Sequence, residues 1–445
     1  MDKSFGYGDT TLTLGFFGLG KSNLSLMETL PHGTHIVLRS DKAIDRAKIP
    51  KNITPQKIYE GKSALDDISE DVLILSPSVR RDRPELAAAQ ERGVILTSDC
   101  ELFFERANAQ VLGVSGSSGK STTATLSHLA LGGDVHGIKL VGNVGVPMLN
   151  SISEGATGYV AELSSFMLEY YTPKLRRYAL TNITPNHLDF HGTFEKYKEA
   201  KLRPLHLCDE GIICADDDVL SKERYESLFG VYSIRHDIRE LATKYRAELY
   251  LTLEGGYICR NGERLLHTDT LKRRDGYMLQ NMMCSMALVD GIAKRDTMLS
   301  AMRGFSNLAH RCDTVYSVGG VDFIDSSIDT TPERCATTLT SLGRRVVLLL
   351  GGRGKGLSYG VMLPPVLKYV RFAVLFGEEG EKFFSLLTGK IGCVVCKNFK
   401  EAVKLAMSVA EPGDAVLLSP ACTSYDEFSS FEERGETFRS IVRSL

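Results

Sequence analysis

The chain has 445 residues, with 53 Lys and Arg against 55 Asp and Glu, so its net charge of −2 makes no bulk case for a nucleic-acid partner. That length predicts two to four domains, and 43% apolar with 24% charged residues is the balance of a globular chain. The opening MDKSFGYGD lacks the apolar core of a leader, and no apolar run approaches the ~20 residues of a membrane helix, so a cytoplasmic chain without membrane partners is expected.

The first predicted unit opens with TLTLGFFGLGKSNLSLMETL, an apolar strand followed by a glycine turn and helical spacing. THIVLRSD, DVLILSPS and GVILTSD then read as short strands ending in polar residues. Within GLGKSN, the residues Gly18, Lys21, Ser22 and Asn23 could cradle a diphosphate, and Arg39, Ser40 and Asp41 end the next strand. A single G-x-G is weak evidence, because many turns share it. The second unit runs from AQVLGVSGSSGKS through GYVAELSSF and YALTNITPNHLDFHG to EGIICADDD. More polar strands and the helical QNMMCSMALVDGIAK follow. The third contains VDFIDSS, RVVLLLGGRGKG, RFAVLFGEEGEKFFSLL and DAVLLSPACTSYDEF. Strand–turn–helix alternation predicts an α/β fold with mostly parallel sheets and ligands at the strands' carboxyl ends. Boundaries fall near 107 and 308. The ten cysteines are scattered. Cys393 and Cys396 sit on a predicted strand without two further zinc ligands, so reduced, mostly buried thiols are expected.

The stretch GVSGSSGKSTTATL, residues 113–126, carries the sharpest chemistry. A glycine turn before a helix aims unpaired N–H groups at an anion. Gly116 and Gly119 let the backbone wrap, with Ser117 and Ser118 between them. Lys120 supplies a point charge, Ser121 can ligate Mg²⁺, and Thr122 continues the helix. Val114 stands where the commoner G-x-x-x-x-G-K-[ST] loop begins with glycine, which argues against ordinary GTPases and ATPases of that form. Glu162 ends an apolar strand about forty residues on, suited to share a metal with Ser121, although a strand-end Glu is more often simply solvated. His187 and His191 are four apart, but Pro185 and Gly192 break any helix between them, so a two-His zinc face is excluded and His191 reads as a surface residue. Lys201, three residues after Lys198, reads by itself as part of a solvated helix face.

Taken together, residues 115–122 resemble the T-G-[ST]-x-G-K-[ST]-[ST] loop of the Mur ligases, ATP-dependent amide-forming enzymes of peptidoglycan synthesis. TNITPNHLDFHGTFEKYKEAKLR resembles that family's N-x-x-x-D-H-x-D segment and the helix after it. LAHRCDTV resembles its P-H-R, and SPACTSYDEFSSFEERGETF its C-terminal signature. The resemblance extends from about residue 12 and points to the D-glutamate-adding branch. It implies three domains: a Rossmann-like UDP-substrate domain at 1–107, a central P-loop ATPase domain at 108–307, and a Rossmann-like amino-acid domain at 308–445. It further implies ATP and Mg²⁺, with Glu162 and Ser121 on one metal. His187 and Lys201, the latter carbamylated by CO₂, would hold a second. Asn281, Arg311 and Asp325 would join the loop at ATP. Gly18, Lys21, Ser22, Asn23, Arg39, Ser40 and Asn143 would bind UDP-N-acetylmuramoyl-L-alanine. Thr330, Lys355, Ser424 and Phe431 would bind D-glutamate, although by residue type Phe431 could be core and Ser424 a helix cap.

Three departures stand out. The branch's N-D-S-K-A-T-N loop is IDSSIDT here and lacks its lysine. The G-x-H-N-x-x-N helix start keeps Asn281 but has Gln280 and Cys284, and Lys21 intrudes into the first glycine turn. The expected activity is transfer of the terminal phosphoryl of ATP to the alanyl carboxylate, then attack on the acyl phosphate by the amine of D-glutamate, in a monomer that closes on ATP. The alternatives are a sister ligase for another amino acid and a catalytically silent nucleotide-binding paralogue, the latter motivated by the missing lysine.

Overall fold

A computed structural model describes residues 11–152 and 155–444. The opening MDKSFGYGD lies outside the described residues. The chain divides after Phe305 into two compact units.

The first unit contains two sheets. In the first, β1 (Thr13–Phe17), β2 (His35–Ser40), β3 (Lys57–Glu60), β4 (Val72–Leu75) and β5 (Ile95–Thr97) lie in the order β3-β2-β1-β4-β5, all parallel. The alternation of a strand buried on both faces explains the pattern: Phe16 packs into one apolar cluster and its neighbour Phe17 into the other. The chain reverses its direction of travel between β1 and β4, the place in such sheets where a crevice opens. The turn that leaves β1 is there, and Gly18 has φ +83°, with Ser76 Cβ 2.9 Å from where a side chain would begin.

The second sheet has nine strands: β6 (Val111–Ser115), β7 (Ile138–Gly142), β8 (Gly158–Glu162), β9 (Arg177–Leu180), β10 (Glu210–Cys214), β11 (Leu228–Ser233), β12 (Ala247–Glu254), β13 (Tyr257–Arg260) and β14 (Glu263–His267). Their order is β14-β13-β12-β11-β10-β9-β6-β8-β7, parallel from β7 to β12 and ending in an antiparallel hairpin extension. β6 sits between β8 and β9, pairing Val114 with Glu162 and Ser115 with Leu180. That register brings the ends of three strands to one place. The helix Lys120–Ala130 leaves β6 and packs against the helix Gly276–Val289.

In the second unit, β15 (Asp313–Val318), β16 (Val321–Asp325), β17 (Val346–Gly351), β18 (Val370–Phe376), β19 (Gly392–Val395) and β20 (Ala415–Ala421) form a sheet of order β15-β16-β20-β17-β18-β19, antiparallel only at β15. All six residues of β17 are buried, as an apolar run covered by helices on both faces requires. Among the described residues no helix is long and apolar enough to cross a membrane, and all ten cysteines are free thiols.

Candidate active site

The glycine loop after β6 is built by close approach. Gly116 has φ +147°, and a Cβ there would sit 1.9 Å from Thr181 Oγ1; Gly119, at φ +80°, would meet Asn281 Oδ1 at 2.3 Å. The loop is tied down from the segment after β9. Ser117 N donates to Asn182 O (2.9 Å), Ser118 N to Asn182 Oδ1 (2.9 Å), and Ser117 Oγ to Thr184 O (2.9 Å). Gly119 then starts the helix, with Lys120 its first residue and Ser121 and Thr122 buried behind it.

Two lysines converge on this loop. Lys120 Nζ donates to Gly116 O (2.9 Å) and Ser117 O (3.1 Å). Lys201, only 1% exposed, reaches the same Gly116 O (2.8 Å) and Ser115 Oγ (3.0 Å) from the helix Phe194–Leu207. Burial holds the Lys201 amine well below the usual lysine range, and the neighbouring Lys120 charge lowers it further, against a smaller opposing pull from Glu162. The sequence reading of a solvated lysine face thus fails for Lys201. It holds better for Lys198, half-buried on that helix and paired with Glu223 (2.9 Å).

Glu162, at the end of β8, is fully buried. Its Oε1 accepts from Asn143 Nδ2 (3.1 Å), while Oε2 has no hydrogen-bond partner. A buried carboxylate oxygen left unpartnered is costly unless a cation or donor completes it, so the residue fits a divalent ion. His187 lies on the segment that ties down the loop, exposed, in the left-handed region (φ +52°), with its ring 4.8 Å from that of Phe166. Among the described residues no three His, Cys, Asp or Glu side chains form a metal-ligating group by themselves.

His191 requires a correction. It is buried, not on the surface: Nδ1 meets Glu169 Oε2 (2.7 Å) and Nε2 meets Ser165 Oγ (3.0 Å), which pins the single-turn helix Leu188–His191. Tyr197 is a residue the sequence reading passed over. Its hydroxyl bonds Ser117 Oγ (2.8 Å) and its ring lies 5.1 Å from Lys201 Nζ. The signal was its position four residues before Lys201, one helical turn on the same face.

The residues expected at the UDP portion separate into two groups. Lys21 is exposed and Ser22 half-buried at the start of the helix that follows the first glycine turn, and Ser40 caps the turn after β2. Arg39 and Asn23 are interior, and for Arg39 this is a correction. Arg39 is 0% exposed, pairs with buried Glu70 (2.6 Å), donates to Ala64, Asp66 and Asp67 carbonyls, and lies 4.3 Å from the Tyr59 ring centroid. Its guanidinium has no face left for a ligand. Asn23 turns inward, its Nδ2 donating to Gly18 O (2.7 Å) and holding the turn, while its Oδ1 has no hydrogen-bond partner. Asp41, next along, forms a two-pronged pair with Arg83 (2.7 and 2.6 Å), whose charge lowers its carboxyl below the ordinary range. On the nucleotide-side helix, Asn281 meets the loop. Gln280, the departure from histidine, donates to Asp216 Oδ2 (2.9 Å), and Cys284 is fully buried.

In the second unit, Lys355 Nζ donates to Thr330 Oγ1 (3.2 Å), joining two residues expected at the amino acid. Ser424 is buried, and the Phe431 ring stands edge-on to His310 at 6.2 Å. Asp325, expected at ATP, is instead fully buried. Its Oδ2 accepts from His310 Nδ1 (2.6 Å) and Arg439 Nε (2.8 Å), and Oδ1 from Ser327 N (3.0 Å). Those partners hold the carboxyl below its ordinary value against the opposing cost of burial. Asp325 therefore orders the segment that carries His310 and Arg311, the latter half-buried with its carbonyl held by Asn307. Ser327, in the loop that lacks the branch's lysine, accepts from the buried Arg434 guanidinium (Nε to Oγ, 3.0 Å).

Glycine loop, buried lysine and strand-end carboxylate on a central parallel sheet define an ATP-dependent ligase of the Mur type. Residues 114–289 match the Mur ligase middle domain, and residues 310–422 match the Mur ligase glutamate ligase domain. The chain belongs to the Mur ligase family. It is similar to the UDP-N-acetylmuramoylalanine–D-glutamate ligase of Acetivibrio thermocellus, 32% identical with 96% of this chain and 95% of that protein covered. It is likewise similar to the enzyme of the same name from Clostridium tetani, 29% identical with 97% and 96% covered. Its fold matches the crystal structure of the UDP-N-acetylmuramate-alanine ligase of Thermotoga maritima with a TM-score of 0.61 at 16% identity, over 97% of this chain and 99% of that one.

Proposed function

We propose that the protein is an ATP-dependent, ADP-forming ligase that joins D-glutamate to the alanyl carboxylate of UDP-N-acetylmuramoyl-L-alanine in peptidoglycan precursor synthesis, with residues 1–107, 108–307 and 308–445 serving acceptor, nucleotide and amino acid. Full-length similarity to relatives bearing that name supports the reaction. The observation that carries the site is the pair of lysine amines on Gly116 O, one of them buried.

Two cationic amines around one carbonyl repel each other, and Lys201 is the one whose burial favours the uncharged form. A neutral amine can attack the carbon of CO₂, form an N–C bond and lose a proton, which turns a cation into a carboxylate-like ligand. Glu162 and Ser121 would hold one Mg²⁺, and His187 with modified Lys201 a second. When bound, the ions neutralise charge on the transferring phosphoryl group. The loop's N–H groups and Lys120 orient the phosphates, and Asn143 fixes the Glu162 carboxylate. The phosphoryl group of ATP passes to the alanyl carboxylate, ADP leaves, and the amine of D-glutamate displaces phosphate to form the amide. Thr330, Lys355, Ser424 and Phe431 would hold D-glutamate, with Lys355 and Thr330 already joined.

ADP release measured with each amino acid, with and without the UDP-linked acceptor, tests this. Strict dependence on D-glutamate and acceptor together is expected. Nucleotide binding with no turnover would overturn the proposal in favour of a silent paralogue.

A further inference from the structure

The carboxylate of Asp99 stands apart from every group used so far. It begins the helix Asp99–Arg106, immediately after the first sheet's last strand, and is 2% exposed. Its two oxygens accept backbone N–H groups from a different layer: Oδ2 from Met148 (3.3 Å) and Oδ1 from Leu149 (3.1 Å). One residue further, Asn150 Nδ2 reaches back to Ser25 Oγ (2.7 Å) and Ser25 O (3.2 Å), on the helix that follows the first glycine turn. Leu149 packs against both the first sheet's core and the second sheet's core.

The segment these contacts hold, residues 143–150, starts beside Glu162. Asn143 donates to Glu162 twice, N to O and Nδ2 to Oε1, both at 3.1 Å. The path from Asn143 to Met148 is stiff. Gly142 (φ +100°) and Gly145 (φ +82°) make turns against Glu162 O and Leu140 O that admit no side chain, and Val146 N bonds Leu140 O at 3.1 Å. One short strut therefore runs from two helices of the first sheet's layer, at Asp99 and Ser25, to the carboxylate beside the phosphate loop.

We infer that Asp99 is a positioning residue for phosphoryl transfer: by anchoring the 143–150 strut it sets the register between the acceptor held on the first sheet and Glu162 on the second. The inference rests on the acceptor and metal roles proposed above. Burial supports it, because a carboxylate in that interior is pushed up to about 6 and only two amide donors favour its charged form, so the group is not explained as a stabilising ion pair.

The test uses the full chain and steady-state kinetics with ATP, D-glutamate and the UDP-linked acceptor. Removing a partner directly behind a ligand, here Asn143 behind Glu162, costs about 10- to 100-fold. Asp99 acts through that segment, so Asp99→Ala is expected to lower kcat by up to about tenfold, the low end of that range, while leaving the KM for ATP within about twofold. Asp99→Asn, which keeps one acceptor oxygen, is expected to recover part of the loss. Should Asp99→Ala not fold, Asp99→Asn and Asn150→Ala carry the test, each expected to show reduced kcat. Wild-type kcat in every variant that folds, with only the melting temperature changed, overturns the inference. Glu162→Gln in the same assay separates the two levels. If it is inactive beside fully active Asp99 variants, the strut alone is refuted; if it is fully active, the metal reading and the inference both fall.

Discussion

Lys201 shows how much a single side chain's setting decides. In a water-exposed helix it would be an ordinary cation, but here desolvation and the Lys120 charge hold its amine well below the usual lysine range. Replacing it with Ala is expected to cut turnover about 100-fold or more. Added formate or acetate should restore part of the rate by supplying the missing carboxylate, and bicarbonate labelled with ¹³C should give a carbamate signal absent from the variant. Gly116 is constrained on two counts, a φ of +147° and Thr181 Oγ1 at 1.9 Å from a prospective Cβ. Gly116→Ala is expected to lose about 1–3 kcal/mol of stability in a denaturant titration and to weaken nucleotide binding. Arg39 tests the opposite kind of assignment. Breaking its buried pair by Glu70→Ala should cost about 3–5 kcal/mol, with an unchanged KM for the UDP-linked acceptor at temperatures where the variant is folded.

At the level of elements, the helix Asp99–Arg106 joins two cores, with Leu102 in one and Cys100 and Phe103 in the other. Its first carboxyl gives the helix a distinct pH dependence. The unfolded Asp99 has the ordinary aspartate value of 3.8 and burial pushes the folded one up to about 6, so the native state binds the proton more tightly between those values. The contribution of this group to stability is therefore full below about pH 4 and falls as pH rises through 6, a loss on the order of 3 kcal/mol. Thermal melts of the chain and Asp99→Ala between pH 4.5 and 7 should show that downward slope flattened in the variant. The phosphate-loop helix is the complementary case. Its start was legible because glycine, lysine and hydroxyl residues must follow a strand in that order to present N–H groups to an anion. The one-turn helix Leu188–His191 was not, since its stability comes from His191 bonding Glu169 and Ser165, residues 22 and 26 positions away.

At the level of the whole molecule, each unit has its own apolar clusters, and the phosphate loop belongs entirely to the first. Calorimetry should accordingly resolve two unfolding transitions. ATP with Mg²⁺ at a hundred times its dissociation constant adds about 2.7 kcal/mol to the unit that binds it. The transition of residues 1–305 should move most, with a smaller shift in the second from Arg311; an equal shift in both would place the main nucleotide contacts in the second unit as well.

The amino-acid sequence by itself determined the α/β class, the strand and helix flanking the phosphate loop, and Lys120 within that loop, because periodicity and motif spacing are local properties of a chain; Glu162 and His187 were singled out chiefly by the likeness to the Mur ligases. Only the tertiary structure decided which polar residues face a ligand and which face the interior. Arg39 and Asp325 ended polar strand tips as the pattern required, yet Glu70, His310 and Arg439 draw them inward. Desolvation depends on what packs above a side chain, and that cover comes from segments distant in sequence. For the same reason Lys201 and Asp99, unremarkable in the sequence without a family likeness, acquire their chemistry only once the sheets close over them.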